Sequence, residues 1–513
     1  MNSIKTLRSN KNYLGAFLLF FIGIVYAQSP KTVAKRAQPN IIVFLVDDMG
    51  WQDTSLPFWT KTTELNKRYH TPNMERLAKE GMKFTNAYAT PVCTPTRVSM
   101  ISGMNAANHG VTNWTSPVKD NNTDNSDEEM AKADWNYNGL SPVPGIPHTA
   151  YATTYPQLLK DAGYFTIHVG KAHWGSAGTP GSSPYNLGFM VNISGNSIGH
   201  PQSFKGTDNY GNIPGKTSPN AVPDLQEYFG KDCFLTEALT LEAIKSLEAP
   251  IKNKQAFYLN MSHYAIHDPL MADSRYIQKY LDAGLDAKEA KLASMIEGMD
   301  KSLGDIMNYL KEKNIEKNTI VIFMSDNGPS HRSNLPLKSS KGSVYEGGIR
   351  EPMIVKWPAV VKPSTVAQQY VIIEDFFPTI LEMAGLKNYR TAQQLDGESF
   401  LPILKNANYS NNERILVWHN PNKWTSSAAP GINYFSAIRQ GNWKLVYSMR
   451  TGKKELYDLN DDIGEKNNLS DRYPGKVEQL SSLLSNELRK CKAPMPTFKN
   501  SGKVVPMPDE VEF

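Results

Sequence analysis

Cysteine is scarce: three residues in 513. At Cys93, Cys233 and Cys491 they are too few and too scattered for a disulfide framework or a zinc site. If Cys93 is consumed by modification, Cys233 and Cys491 could pair or stay free, and spacing does not choose between them. No biased tract and no internal repeat is found, which excludes fibrous, disordered and solenoid chains. Charge of either sign is nearly balanced at +5. Removing residues 1–27, which hold Lys5, Arg8 and Lys11 and no acid, lowers it to +2. That is too slight to argue for a nucleic-acid partner. Long apolar runs are also absent, except near the start.

There, the three basic residues precede an apolar run from Tyr13 to Tyr26, ending in Val25-Tyr26-Ala27-Gln28. This layout predicts a secretory signal peptide cut after Ala27, and hence a periplasmic or secreted protein. The run is shorter than the roughly 20 residues needed to span a bilayer, so no stable membrane insertion is expected after cleavage. No cysteine lies near the cut, which argues against a lipid-attached form.

Apolar runs of strand length at Ile41–Val46, Phe165–Val169, Phe257–Met261 and Thr319–Met324 alternate with helical patterns at Pro72–Glu80, Tyr155–Ala162, Thr236–Glu248 and Ala287–Lys311. This predicts an α/β domain with a mostly parallel sheet flanked by helices. From about residue 406 the pattern shifts to short strands at Ile415–Trp418, Phe435–Ile438 and Lys444–Tyr447, then a helix at Val477–Lys490. The expected division is signal peptide 1–27, catalytic α/β domain 28–405 and a smaller α+β subdomain 406–513 with a short antiparallel sheet. Two long Gly-, Pro- and Asn-rich stretches, 111–150 and 176–232, hold Trp114, Trp135, Tyr185 and Tyr210. Loops of that length in a compact domain are usually functional, so they are read as walls of a substrate cleft.

Polar groups follow each predicted strand: Asp47 and Asp48 after the first, Gly170-Lys171-Ala172-His173 after the second, His263 and His267 after the third, and Ser325-Asp326-Asn327-Gly328 after the fourth. Ligands of open α/β sheets bind beyond the carboxyl ends of the strands, so these groups are expected to meet. The oxygen donors Asp47, Asp48, Asp326 and Asn327 suit calcium or magnesium better than zinc or copper. Lys171 and His173, two apart on an extended segment, can face one side.

The segment Cys93-Thr94-Pro95-Thr96-Arg97, followed by a short apolar helix ending at Gly103, resembles the signature of type I sulfatases. Asn40–Gly50, Gly170–Gly175, Tyr264–Leu270, Ser325–Gly328, the loop Lys341–Gly348, and 437–447 with 455–459 are similar to further parts of that family. The resemblance implies an alkaline-phosphatase-like α/β core with a small C-terminal sheet, and oxidation of Cys93 to formylglycine (3-oxoalanine) by a maturation enzyme. It implies one Ca2+ held by Asp47, Asp48, residue 93, Asp326 and Asn327. Arg97, Lys171 and Lys341 would bind sulfate oxygens. His173 would remove the proton whose loss expels sulfate from residue 93, and His267, aided by Lys341, would protonate the departing alcohol. Ala172 and Trp174 depart from the usual residues and are expected to reshape the pocket. Enzymes similar to this one act on sulfated polysaccharides, so the expected substrate is an algal glycan of ulvan, carrageenan, agar or fucoidan type, or its oligosaccharides, with host glycosaminoglycans as the open alternative. The rival readings are a phosphoester or phosphonate hydrolase of the same superfamily, and a non-catalytic binder of sulfated glycans should Cys93 stay unmatured.

Overall fold

The computed structural model describes residues 38–511, apart from Thr217 and His331. The expected signal peptide lies outside the described residues. Among these, no helix is long and apolar enough to cross a membrane.

Nine strands form the main sheet: β1 (Asn40–Val46), β2 (Met82–Tyr88), β3 (Phe165–Gly170), β4 (Val191–Ile193), β5 (Phe257–Ser262), β6 (Thr319–Ser325), β7 (Arg350–Lys356), β8 (Thr365–Ala367) and β9 (Val371–Ile372). Their order is β8-β2-β7-β6-β1-β5-β3-β4, with β9 also on β2. All neighbours are parallel except β7, which runs against both β2 and β6. The mostly parallel expectation therefore holds, with one reversed strand. Sequence patterning passes over β2 and β7 because Lys83, Thr85, Asn86, Arg350 and Glu351 interrupt their apolar runs.

β1 shows why its sequence is apolar throughout. Ile41, Val43 and Leu45 face one core with helices α2 (Cys93–Ser102), α3 (Tyr155–Asp161) and α6 (Phe376–Met383). Ile42, Phe44 and Val46 face the other, with α1 (Pro72–Glu80), α4 (Leu235–Lys252) and α5 (Ala287–Glu312). A strand covered on both faces cannot alternate with polar residues.

A second, antiparallel sheet follows in simple meander order, β10 (Ile415–Asn420), β11 (Phe435–Gln440), β12 (Trp443–Ser448) and β13 (Lys454–Asp458). Helix α7 (Pro474–Lys490) closes it: Val477, Leu480, Leu484 and Leu488 pack on Ile438, Leu445 and Leu456. Cys233 and Cys491 are both free thiols.

Candidate functional site

The carboxyl ends of β1, β3, β5 and β6 converge where α2 begins. Gly170 makes this convergence possible, since its φ is +99° and a Cβ there would sit 1.9 Å from the Ser262 carbonyl oxygen. The close approach lets Lys171 N–H donate to that carbonyl at 2.7 Å. Asp48 (φ 62°) and His173 (φ 54°) both occupy the left-handed region. Non-glycine residues seldom hold it unless surrounding contacts enforce it, as they do at functional sites.

Arg97 lies one helical turn after Cys93 and is 1% exposed. Its Nε and Nη2 reach Asp326 Oδ2 at 2.9 and 2.7 Å, while Nη1 donates to Lys171 O at 2.9 Å and Ser262 Oγ at 2.6 Å. One guanidinium thus ties the ends of β3, β5 and β6 to α2. Lys171 Nζ pairs with Asp47 Oδ2 at 2.6 Å. Lys341 Nζ pairs with Asp48 Oδ1 at 2.5 Å, which also accepts from Asn327 Nδ2 at 2.6 Å. His267 Nε2 stands 3.7 Å from Asp48 Oδ2.

Three carboxylates, Asp47, Asp48 and Asp326, therefore face three permanent cations, Arg97, Lys171 and Lys341. Burial, then repulsion from Asp47, pushes the Asp326 carboxyl up to about 6 despite Arg97. Burial opposes ionisation of Asp48, but Lys341, His267 and Lys171 outweigh it and hold the group well below the carboxylate range. Those pairings leave Asp47 Oδ1, Asp48 Oδ2 and Asn327 Oδ1 buried without a hydrogen-bond partner. Buried acceptors left unpartnered are costly. Two carboxylate oxygens and an amide oxygen are the donor set of a hard divalent cation, and ligand atoms of Asp47, Asp48 and His267 lie within 4.8 Å of one another. The residues fit calcium. Asp326 differs from the other expected ligands, because its Oδ1 accepts from Asp48 N–H at 3.2 Å and its Oδ2 from Arg97.

Cys93 is the first residue of α2 and is 4% exposed. Unpaired N–H groups and the helix dipole favour negative charge there. His173 Nε2 lies 2.9 Å from Thr115 O, and a carbonyl can only accept, so Nε2 carries the proton. Its bare Nδ1 is then the atom 3.6 Å from Cys93 Sγ. Burial, followed by the Lys171 charge, holds this ring well below the ordinary histidine range, so it rests neutral with Nδ1 unprotonated. His267 Nδ1 donates to Asp268 O at 3.0 Å, which leaves Nε2 toward the acid cluster, and burial pushes the ring down to about 3.

A cavity of about 510 Å³ opens over these groups, lined by Cys93, His173, His267 and Lys341 together with Trp114, His200, Asn220 and Trp424. Arg97 and Lys171 are fully buried and are not among its lining residues. Of the four aromatics expected in the cleft walls, Trp114 is there. Tyr210 is core, its hydroxyl donating to Cys233 O at 3.0 Å; Trp135 donates to Thr112 Oγ1 at 2.8 Å; Tyr185 is exposed on a short 3-10 turn and is not among the cavity's lining residues. Ala172 and Trp174 do not reshape the pocket. Alternation along the segment turns them into the core, where Trp174 stacks on Phe189 and donates to Arg97 O at 3.0 Å. His263 is also a core residue, 2.9 Å from Ser302 Oγ. Reading the sequence missed His200, whose ring lies parallel to His267 with centroids 5.8 Å apart, and Trp424, brought in from the β10–β11 loop. A lone histidine in a Gly/Asn/Ser stretch and a tryptophan in a polar loop were the available signals.

Comparison with known proteins agrees with this geometry. A family model described as sulfatase matches residues 39–386, and one described as N-sulphoglucosamine sulphohydrolase, C-terminal, matches 339–494. A sulfatase of Formosa agariphila is 28% identical over 95% of both chains. The N-acetylgalactosamine-6-sulfatase of Mus musculus is 30% identical over 75% of this chain and 69% of its own. The crystal structure of Ps i-CgsB superposes with a TM-score of 0.69 at 25% identity, covering 88% of this chain and 93% of that one. The first family model spans the four converging strand ends and Cys93, and the chain is a sulfatase, a member of the sulfatase family with its alkaline-phosphatase-like fold.

Proposed function

We propose that this sulfatase removes sulfate from a sulfated carbohydrate outside the cytoplasm, with Cys93 matured to formylglycine by a separate enzyme and one Ca2+ bound beside it. The observation that carries the reading is the bare His173 Nδ1 3.6 Å from Cys93 Sγ, next to three unpartnered buried oxygens of Asp47, Asp48 and Asn327. Support for a saccharide comes from the relatives, including the N-acetylgalactosamine-6-O-sulfatase of Bacteroides thetaiotaomicron, 28% identical over 88% of this chain and 93% of its own. Ps i-CgsB has itself been crystallised with k-i-k-neocarrahexaose. The basic, apolar N-terminal segment supports export, and an algal glycan of carrageenan, agar, fucoidan or ulvan type is the substrate proposed.

When bound, calcium supplies fixed positive charge and polarisation, and formylglycine an oxygen nucleophile that cysteine lacks. Asp47, Asp48, Asp326 and Asn327 would hold the ion. Arg97 and Lys171, locked by their ion pairs, keep charge in place before the ester arrives, so no reorganisation is needed during reaction. The six charged groups, Asp47, Asp48, Asp326, Arg97, Lys171 and Lys341, sum to zero, so a divalent ion held among them would leave net positive charge facing a monoanionic ester. Lys341 presents this charge at the cavity surface. His267 takes up a proton as the ester charge enters and returns it from Nε2 to the departing alcohol oxygen. His173 accepts at Nδ1 the proton whose removal frees sulfate, and Thr115 O holds its ring in that tautomer.

The test is mass analysis of the peptide carrying residue 93 together with sulfate release from 4-nitrophenyl sulfate. The aldehyde mass with turnover is expected, and Cys93→Ala should abolish turnover while keeping the wild-type melting curve. Sulfate release by Cys93→Ala at the wild-type rate sinks the mechanism.

A further inference from the structure

Above the reaction centre, the cavity wall changes character. Lys341, the permanent cation among its described lining residues, is committed to Asp48 at 2.5 Å, and the acid in the same lining is Asp268. A second cavity of about 460 Å³ shares Asp268 and Ser330 with the first, so the cleft continues there. Its basic residues Arg68 and Arg332 are paired with Glu289 at 2.8 Å and Asp53 at 2.7 Å. Counting the exposed Lys288, its lining still has four acids, Asp53, Asp268, Asp286 and Glu289, to three bases. Beyond the sulfate position, the described lining of the first cavity offers no cation besides the committed Lys341; Lys288, exposed at the second cavity, lies outside it. An anion placed there would lose its hydration without a partner.

What the wall does offer is aromatic and amide. Trp424 is half-buried and fixed from two sides. Its indole lies so close over Gly342 that a Cβ there would come within 2.2 Å of Cε3, and Asn125 holds its backbone by donating to Trp424 O and Lys423 O, both at 2.9 Å. Trp114, also half-buried, is pinned by Thr123 Oγ1 donating to its carbonyl at 2.6 Å. Across the same cavity His200 donates from Nδ1 to Pro201 O at 3.2 Å, and its Nε2 accepts from Asn220 Nδ2 at 3.4 Å. Both are neutral hydrogen-bonding groups at the mouth. Sugar rings present C–H faces that suit indoles, edged by hydroxyls that suit amide and imidazole groups.

We propose that the ring carrying the scissile sulfate is an otherwise uncharged sugar, packed on Trp114 and Trp424 and recognised at its hydroxyls by the Asn220 amide, which His200 orients, so that a second anionic substituent on that ring is rejected. This rests on the sulfatase reading. The rejection comes from the missing counter-charge, and Trp424 makes the C-terminal sheet a contributor to substrate choice.

The test uses the matured full-length enzyme on matched pairs: monosulfated galactose, N-acetylgalactosamine and fucose, each against its disulfated form. In every pair turned over, kcat/KM is expected to be at least tenfold higher for the monosulfate. Trp424→Ala should raise KM for the monosulfate about tenfold or more, and Trp424→Phe should restore it to within threefold, with melting curves confirming that both variants fold. Equal turnover within pairs, or an unchanged KM in folded Trp424→Ala, overturns the inference. Failure to release sulfate even from 4-nitrophenyl sulfate overturns the sulfatase reading itself. Turnover of that aryl ester with no sugar monosulfate accepted overturns the sugar inference alone.

Discussion

Replacing His173 by Gln is expected to separate the two halves of the proposed reaction. The histidine is 1% exposed and makes one strong anchoring bond, Nε2 to Thr115 O at 2.9 Å. A glutamine amide can donate to the same carbonyl, so the fold should lose little. It carries no basic nitrogen toward residue 93, however, where His173 Nδ1 stands 3.6 Å from Sγ. A positioned base contributes about 10²–10⁴-fold. At about 1.36 kcal/mol per decade, the barrier to sulfate release should rise by roughly 3–5 kcal/mol. In the proposed order His173 acts after the alcohol has left, so the first turnover should liberate about one alcohol per site at near wild-type speed, and sulfate should follow slowly. Rapid quench with parallel assay of 4-nitrophenol and inorganic sulfate reads both. Alcohol and sulfate slowing together, with no burst, would refute the assigned order of events.

Calcium should raise the melting temperature of the wild type, since an ion at a hundred times its Kd stabilises by about 2.7 kcal/mol. Asn327→Leu, which removes one of the unpartnered oxygens, should flatten that dependence, and a melting curve indifferent to calcium and chelator in the wild type counts against the site. A second expectation concerns acid. Burial pushes His109, His168 and His263 down to about 3 and His419 to about 4, away from the cation ligands. These rings stay neutral in the native state while the unfolded chain protonates near 6.5, so stability present above 6.5 is lost as pH falls toward 3. At pH 5 the loss is on the order of 2 kcal/mol per ring, about 8 kcal/mol if all four contribute. Denaturant midpoints that stay level from pH 7 to 5 contradict this.

Much of the site was legible because both chemistry and topology leave marks in order along the chain. Strands covered on both faces are mainly apolar, so β1, β3, β5 and β6 announce themselves, and most of the polar residues that follow them, His263 excepted, reach the crevice. The Cys93-to-Arg97 spacing places both on one face of α2, which the sequence alone determines through helical periodicity. The edges of the pattern were less legible. Nothing local distinguishes Trp114 from Trp135, or Trp174 from a pocket residue, because which side of a loop faces the cleft depends on partners such as Arg97 O and Thr112 Oγ1.

By itself, then, the sequence determined the family and the residue set on which the proposed reaction rests: Cys93, its arginine, the acid-amide set and the two histidines are specified by residue type and spacing. The tertiary structure alone decided the protonation geometry and the outer pocket. His173 acquires its tautomer from Thr115, a residue 58 positions away, and Trp424 reaches the cleft by packing on Gly342. Such contacts join segments far apart in the chain, and no local propensity encodes them.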